Sequence, residues 1–281
     1  MNLPCVRVNE LTLVSFLGNI YTDDHVTLIE GDCLEKLKEM PENSVDIVVT
    51  SPPYNIGINY ADYTDDKEDD AFLEWMSSIS RELARIVKKG GHAFVNVGYT
   101  NKKPWISHDV AQQFRRDWVL QNRFVWVKSI SIENKTTGNF KPINSPRYVS
   151  LTNEDVYHFT HDGTVAIVRK AIGVPFMHKG NMERFGHVED LRCRGNTWFV
   201  PFTPINDAGK RGGGHPATFP LELPLMCIRL TGITDGVVMD PFVGSGTVMQ
   251  AARKCGMRGV GIDISPTYLA HASPEKSWPP R

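Results

Sequence analysis

Apolar residues recur along this chain with two periods, and the alternation between those periods predicts the order of its elements. β-Branched residues crowd Val26 to Glu30 and Val45 to Thr50, which read as short strands, and Leu34 to Met40 between them reads as a helix. Pro41 to Ser44 is the loop that starts the second strand. Strand, helix and strand within so few residues imply a parallel βαβ unit. Lys67 to Lys88 is the longest helix candidate, with Phe72, Met76, Ile79, Leu83 and Ile86 or Val87 at intervals of three and four, and Gly90-Gly91 ending it. His92 to Val97 reads as a strand, Ile106 to Phe114 as a helix and Trp118 to Lys128 as a further strand. Asp155 to Thr160 and Thr164 to Val168 read as two strands around the turn His161-Asp162-Gly163. From Arg169 to Gly214 the period is lost, as in a loop or a small appended module. Order returns with a helix from Leu221 to Leu230, a strand Val237 to Asp240, a glycine-rich turn, a helix through Cys255 and a strand Gly259 to Asp263. Nothing repeats internally, and the tail from Pro274 is too short and proline-rich to form an element.

Composition narrows the class. The 281 residues are 41% hydrophobic, enough for one large α/β core or two modest domains and too much for a disordered or fibrous chain. Lys and Arg total 31 against 32 Asp and Glu, so any attraction to a polyanion must be local. No apolar run approaches the length of a membrane span and no leader is visible, which predicts a soluble, cytoplasmic protein without membrane contact. The five cysteines, Cys5, Cys33, Cys193, Cys227 and Cys255, are far apart and include no CxxC, which argues against a disulfide scaffold or a structural metal site and fits a reducing compartment.

Two stretches carry candidate chemistry. Val237 to Thr247 is an apolar strand that delivers Asp240 to its carboxyl end and then a Gly244-Ser245-Gly246 turn that opens a helix, so backbone and unpaired amides can approach a ligand. A second strand ends at Asp263, 23 residues after Asp240, close to the offset at which an acid meets ribose hydroxyls. Met249 occupies the third glycine position of a dinucleotide turn and there is no GKS or GKT, so a ligand with a ribose and no phosphate fits best, which points to S-adenosyl-L-methionine. The plainer reading is a tight turn at a sheet edge. Near the N-terminus, the strand ending at Thr50 runs into Ser51-Pro52-Pro53-Tyr54-Asn55, where two prolines fix the backbone and leave carbonyls as acceptors. The Ser51 hydroxyl and the Pro52 carbonyl could accept both N–H groups of an exocyclic amine while Tyr54 stacks on its ring, with Asn55 shaping the pocket. A rigid proline turn with a buried tyrosine is the plainer alternative here.

Thr50 to Asn55, Asp240 to Thr247, His215 to Phe219-Pro220 and Gly31-Asp32 together resemble the amino-group DNA methyltransferases, which modify cytosine at N4 or adenine at N6. With the catalytic loop first and the cofactor loop last, the order resembles the permuted beta class, and the matching motifs leave out residues 1–25 and 169–210. The resemblance implies a Rossmann-like, S-adenosylmethionine-dependent α/β fold with a mostly parallel seven-stranded sheet, one strand reversed, and helices on both faces. It also implies a single methyltransferase domain over residues 1–281, with 169–214 as the target-recognition insertion or loops. In that frame Ser51, Pro52, Pro53 and Tyr54 are catalytic, Asp263 binds the ribose and Asp32 lies near the adenine amine or ribose. Phe219 and Phe242 line the cofactor cleft, Gly244, Ser245, Gly246 and Thr247 cradle the methionyl end, and Asp240 supports its ammonium. Ser51, where many adenine enzymes have aspartate, resembles the N4-cytosine group, with N6-adenine as the alternative. A C5-cytosine mechanism needs a thiolate, and the lone Pro4-Cys5 pair reads as incidental.

The implied substrate is double-stranded DNA with its target base flipped out. Residues 123–214 hold 13 of the Lys and Arg residues, in excess over their acids. Lys128, Lys135, Lys141, Arg147, Arg169, Lys170, Lys179, Arg184, Arg192, Arg194, Lys210 and Arg211 are candidates for phosphate or base-edge contacts, although solvated side chains are the plainer reading of any one. His215 reads as a ligand or base or as a satisfied loop histidine, and the acidic run from Asp62 to Asp70 as a helix cap or lid. The resemblance adds a homodimer and a cognate restriction endonuclease acting on the same site. Other classes left open are a catalytically silent DNA-binding protein of the same fold and a methylase of RNA or of a protein amide.

Overall fold

The computed structural model describes residues 20–272 other than 59, 61, 179, 185, 187 and 203–218. Their elements are, in order, β1 (Ile20–Thr22), β2 (Val26–Glu30), α1 (Cys33–Glu39), β3 (Val45–Thr50), α2 (Asp69–Ile86), β4 (Val87–Val97), α3 (Ile106–Phe114), β5 (Val119–Val127), β6 (Ser129–Ile132), β7 (Lys135–Gly138) and β8 (Asn153–Thr160). A 3-10 turn (Arg169–Ile172), α4 (Gly180–Arg184), β9 (Thr197–Phe199), α5 (Glu222–Thr231), β10 (Val237–Asp240), α6 (Thr247–Lys254), β11 (Arg258–Asp263) and α7 (Pro266–Ala272) complete them. The strands align as β1-β2-β11-β10-β3-β4-β8-β5-β9, with β6 and β7 as a separate hairpin. From β2 to β5 this is a seven-stranded sheet in which β8 alone is reversed, and three-residue β1 and β9 extend it to nine strands among the described residues. The expected mostly parallel α/β sheet is therefore present.

Both faces of the sheet are covered, as apolar parallel strands require. Alternation along each strand divides the core: Leu28, Ile47, Val49, Phe94 and Val238 pack with α5, α6 and α7, while Ile29, Val45, Val48, Val95 and Met239 pack with α1, α2 and α3. In α2 the buried stripe is Phe72, Met76, Ile79, Leu83 and Ile86, the periodicity visible in the sequence. Among the described residues no helix is long and apolar enough to cross a membrane.

Three expectations about the elements are corrected. The long helix stops at Ile86 and not at Gly90-Gly91, because Val87 already pairs with Val45 and draws the chain into β4. Gly91 is instead a close-approach position, where an added Cβ would lie 2.7 Å from the Asp46 carbonyl oxygen. Thr164 to Val168 forms no strand: both edges of β5 are taken, by β8 and by β9. The Val165 carbonyl accepts from Gln121 at 2.7 Å and the Val168 amide donates to Leu230 at 2.8 Å, so the backbone is satisfied without a ladder. Within the stretch that lacks periodicity, β9 adds a short parallel strand whose Trp198 is fully buried and stacked on Phe124 with ring centroids 4.0 Å apart.

Candidate active site

Four adjacent parallel strands, β2, β11, β10 and β3, deliver Gly31-Asp32, Asp263, Asp240 and Ser51 to their carboxyl ends on one side of the sheet. The carboxyl ends of the strands are where open α/β folds hold their ligands. The loops enclose a cavity of about 270 Å³ lined by Asp32, Ser51, Pro52, Pro53, Tyr54, Phe219, Asp240, Phe242, Gly244, Ser245, Thr247 and Asp263. The N-terminal and C-terminal candidates, nearly 200 residues apart in sequence, thus face one space.

The carboxylates are held by local geometry. Asp240 Oδ1 accepts from Thr50 Oγ1 at 2.7 Å and from the Phe242 amide at 3.0 Å, so the residue before the Ser51–Tyr54 loop grips the acid that opens the Asp240–Thr247 turn. Burial pushes the Asp240 carboxyl up to about 7, against the pull of those two hydrogen bonds. Asp263 accepts from the Gly244 amide at 2.9 Å and from the Ser265 amide at 2.9 Å, and burial raises its carboxyl too. Asp32 caps α1 through Oδ1, which accepts from Leu34 and Glu35 at 2.9 and 3.1 Å. Gly246 does not line the cavity. Its backbone is left-handed (φ 80°) at the cap of α6, and an added Cβ would lie 2.9 Å from the Ala272 Cβ, so its role is to let the turn close against α7.

The Ser51–Asn55 loop is stapled from below. Asn55, itself left-handed at φ 56°, donates its amide to Asp65 Oδ1 at 2.8 Å, while Asp65 Oδ2 accepts from Ile56 and Ile58 at 3.1 Å. The Asn55 side chain bridges to Lys67 and Asp69. Part of the acidic run is therefore a buried anchor: Asp65 is 2% exposed, Asp62 lines the cavity, and Asp69 pairs with Lys103 at 2.6 Å.

Tyr54 is buried, and its hydroxyl lies 2.7 Å from Ser51 Oγ, 2.6 Å from Asn96 Nδ2 and 3.1 Å from Glu154 Oε2. Asn96 also donates to Glu154 Oε2 at 2.6 Å, and Lys128 pairs with Glu154 Oε1. Burial and then the Glu154 charge raise the Tyr54 phenol well above its usual range. Sequence reasoning missed Asn96 and Glu154; Asn96 interrupts the apolar run Ala93–Val97, whereas Glu154 is one of several polar residues in β8 and carried no such signal. It also missed the aromatic wall, in which Trp75 meets Phe242 edge-on at 5.6 Å and stacks on Tyr63 at 6.0 Å.

The basic candidates are dispersed. Lys128 faces inward to Glu154 and lies over the Trp126 ring, which competes with a phosphate contact. Arg147 is exposed over the Tyr148 ring, Arg169 and Arg192 are exposed, Lys170 pairs with Glu189 at 3.7 Å, and Arg194 Nε donates to the Ile172 carbonyl at 2.9 Å. Lys135 and Lys141 are exposed. Lys179, Lys210, Arg211, His215, Cys5 and the tail from Pro274 lie outside the described residues.

Comparison with known proteins converges on one family. The N6/N4 DNA methylase family model matches residues 45–274. Type II methyltransferase M.ScaI of Streptomyces caespitosus is 29% identical over 260 residues, covering 89% of this chain and 80% of that protein. DNA adenine methyltransferase YhdJ of Escherichia coli is 27% identical over 248 residues, covering 86% and 80%. In structure, the cytosine-N4-specific PvuII DNA methyltransferase superposes with a TM-score of 0.68 at 20% identity, covering 91% of this chain and 88% of that one. The Thermus thermophilus protein TTHA0409, solved with S-adenosyl-L-methionine, superposes with a TM-score of 0.59 at 23% identity, covering 87% and 90%.

Proposed function

The chain belongs to the N6/N4 DNA methylase family, and on that premise we propose that it transfers a methyl group from S-adenosyl-L-methionine to the exocyclic N4 of a cytosine flipped out of DNA. The observation that carries this reading is the single cavity shared by the Ser51–Tyr54 loop and the Asp240–Thr247 turn. Adenine N6 is the second reading, favoured by the E. coli relative, whose name specifies adenine.

The residues present fit the cofactor. Asp32, Asp62, Asp240 and Asp263 make the wall acidic, as a sulfonium and an ammonium require, and Phe242, Trp75 and Phe219 offer rings to an adenine. Tyr63 Oη and Ser265 Oγ are buried without a hydrogen-bond partner among the described residues, and both residues line the cavity. When bound, S-adenosyl-L-methionine supplies an electrophilic methyl group. Asp263 meets the ribose hydroxyls, Gly244, Ser245 and Thr247 hold the methionyl end, and Asp240 balances its ammonium. Tyr54 stacks on the flipped base while Ser51 Oγ and the Pro52 carbonyl accept from its amine. Because that amine gains positive charge during attack, the acceptors stabilise the transition state more than the ground state.

Residues 169–214 serve target recognition, with Arg147, Arg169 and Arg192 on phosphates. The type II names of several relatives support a place in a restriction–modification system with a cognate endonuclease. A homodimer completes the proposal, and sedimentation with and without DNA tests it. Nucleoside digestion and mass spectrometry of treated DNA tests the chemistry: N4-methylcytosine is expected, N6-methyladenine alone overturns the choice of base, and 5-methylcytosine alone overturns the mechanism. Asp263→Ala weakens cofactor binding in calorimetry by about 1.5–3 kcal/mol, the loss of a hydrogen bond to a charged acceptor. Unchanged affinity in the folded variant removes the ribose assignment.

A further inference from the structure

The Tyr54 hydroxyl has one proton and three neighbours, and their chemistry decides where that proton points. Asn96 Nδ2, at 2.6 Å, can only donate to it. The Glu154 carboxylate, at 3.1 Å and held on its other oxygen by the Lys128 ammonium, can only accept from it. The phenol proton is therefore given to Glu154, and the remaining lone pair on Oη receives the Ser51 hydroxyl at 2.7 Å. With its proton committed inward, Ser51 has only lone pairs left for the cavity. A neutral hydroxyl, which could donate or accept, is thus fixed as an acceptor.

We propose that Glu154 is a positioning residue that, through Tyr54, holds Ser51 as an obligatory hydrogen-bond acceptor for the amine to be methylated. The proposal rests on the amino-methylation reading of this cavity and explains how serine can occupy a place where a carboxylate would accept unaided. An aspartate at position 51 has no hydroxyl proton to direct, so it would not need Glu154. Glu154→Gln does more than remove a charge. The Lys128 ammonium draws the amide oxygen to its own side, which turns the amide N–H groups toward Tyr54 and reverses the chain.

The test is a double-mutant cycle read in single-turnover transfer of labelled methyl from S-adenosyl-L-methionine to unmethylated genomic DNA. Glu154→Gln is expected to slow transfer on the order of 10²-fold in the Ser51 protein, with cofactor affinity by calorimetry unchanged. In the Ser51→Asp background the same substitution is expected to cost less than about threefold, because the acceptor is then intrinsic. Tyr54→Phe, which removes the middle link and leaves the Glu154–Lys128 pair in place, should follow the same pattern and decides the matter if Glu154→Gln does not fold. A purely structural role predicts the same factor in both backgrounds, and that result overturns the proposal. A second readout needs no turnover: in ultraviolet difference titration the phenol assigned by Tyr54→Phe should ionise at lower pH in Glu154→Gln, and an unmoved titration also counts against the link. Nucleoside analysis separates the two readings, since N6-methyladenine as product would overturn the choice of cytosine while leaving the cycle readable.

Discussion

Strands β4 and β8 carry two buried polar clusters on one face, and the two ends of that face behave oppositely. At the cavity end Asn96 meets Glu154; four residues down each strand His92 meets His158, with Phe94 and Val156 between. The cavity cluster contains a charge, is tied to Lys128 and reaches Ser51. The core cluster is neutral and closed: His92 Nδ1 lies 2.9 Å from His158 Nε2, and Asn122 Nδ2 donates to His158 Nδ1 at 3.0 Å. Two similar positions on one pair of strands thus differ in whether the hydrogen-bond chain ends in the core or at a cavity.

The largest effect expected from this contrast is in acid. Burial holds His92 at about 4 and His158 at about 3, with the His92 charge adding to the second. Both lie below the ordinary histidine value near 6.5, so below that pH the unfolded chain takes up protons that the folded chain refuses. Stability is complete above about 6.5 and falls as pH drops toward the folded values, by on the order of 3 kcal/mol for His92 and 5 kcal/mol for His158 at the limit. Asp240 has the opposite sign. Its carboxyl is raised to about 7, so its contribution is present in acid and is lost as pH rises from the ordinary carboxyl value of 3.8 toward 7. Urea midpoints between pH 7 and 5 should therefore fall more steeply in Asp240→Asn than in the native protein, and rise toward pH 5 when His92 and His158 are both leucine, because the Asp240 contribution then acts unopposed. Parallel curves for all three proteins would break the contrast.

The next effect is in rate. Asn96→Val removes a donor from Tyr54 and from Glu154 but leaves the histidine pair intact, so single-turnover methylation should drop about 10²-fold, close to 2.7 kcal/mol, while the unfolding midpoint moves little. His158→Leu should do the reverse, losing about 1–3 kcal/mol of stability by leaving the Asn122 donor unsatisfied and keeping the rate of the folded enzyme. If both substitutions damage rate and stability alike, the two clusters are one unit.

The same contrast explains what the sequence could reveal. Asp240, Asp263, Gly244 and the Ser51–Tyr54 loop were readable because each sits where an apolar strand meets a proline or glycine turn, a signal contained within about ten residues. Asn96 and Glu154 are 58 residues apart and meet only because β4 and β8 pair antiparallel, which no local pattern encodes. Lys128 reads from the sequence as a phosphate or base-edge contact because its partner Glu154 lies on another strand, 26 residues away. The end of α2 was misplaced for a related reason: glycine is the usual local stop, but the pairing of Val87 with Val45 acts three residues earlier. Thr164 to Val168 has strand composition and no free strand edge to join. β9 is too short to show a period and owes its place to Trp198 filling the space beside Phe124.

The smallest effect tests the neutral end alone. Because the amide nitrogen of Asn122 can only donate, His158 Nδ1 must accept, so its proton resides on Nε2 and is given to His92 Nδ1, and the tautomers of both rings follow from one side chain. Asn122→Ala releases that choice. It should cost about 1 kcal/mol, a single hydrogen bond, leave methylation within about twofold, since no link to Ser51 is touched, and turn one ring-nitrogen NMR pattern into a mixture. Asn122→Asp should go the other way in acid: a carboxylate beside Nδ1 favours a protonated His158, so its folded value rises toward the unfolded one and the loss of stability below pH 6.5 becomes shallower. A steeper acid limb in that variant would show that something other than the histidine pair governs the low-pH loss.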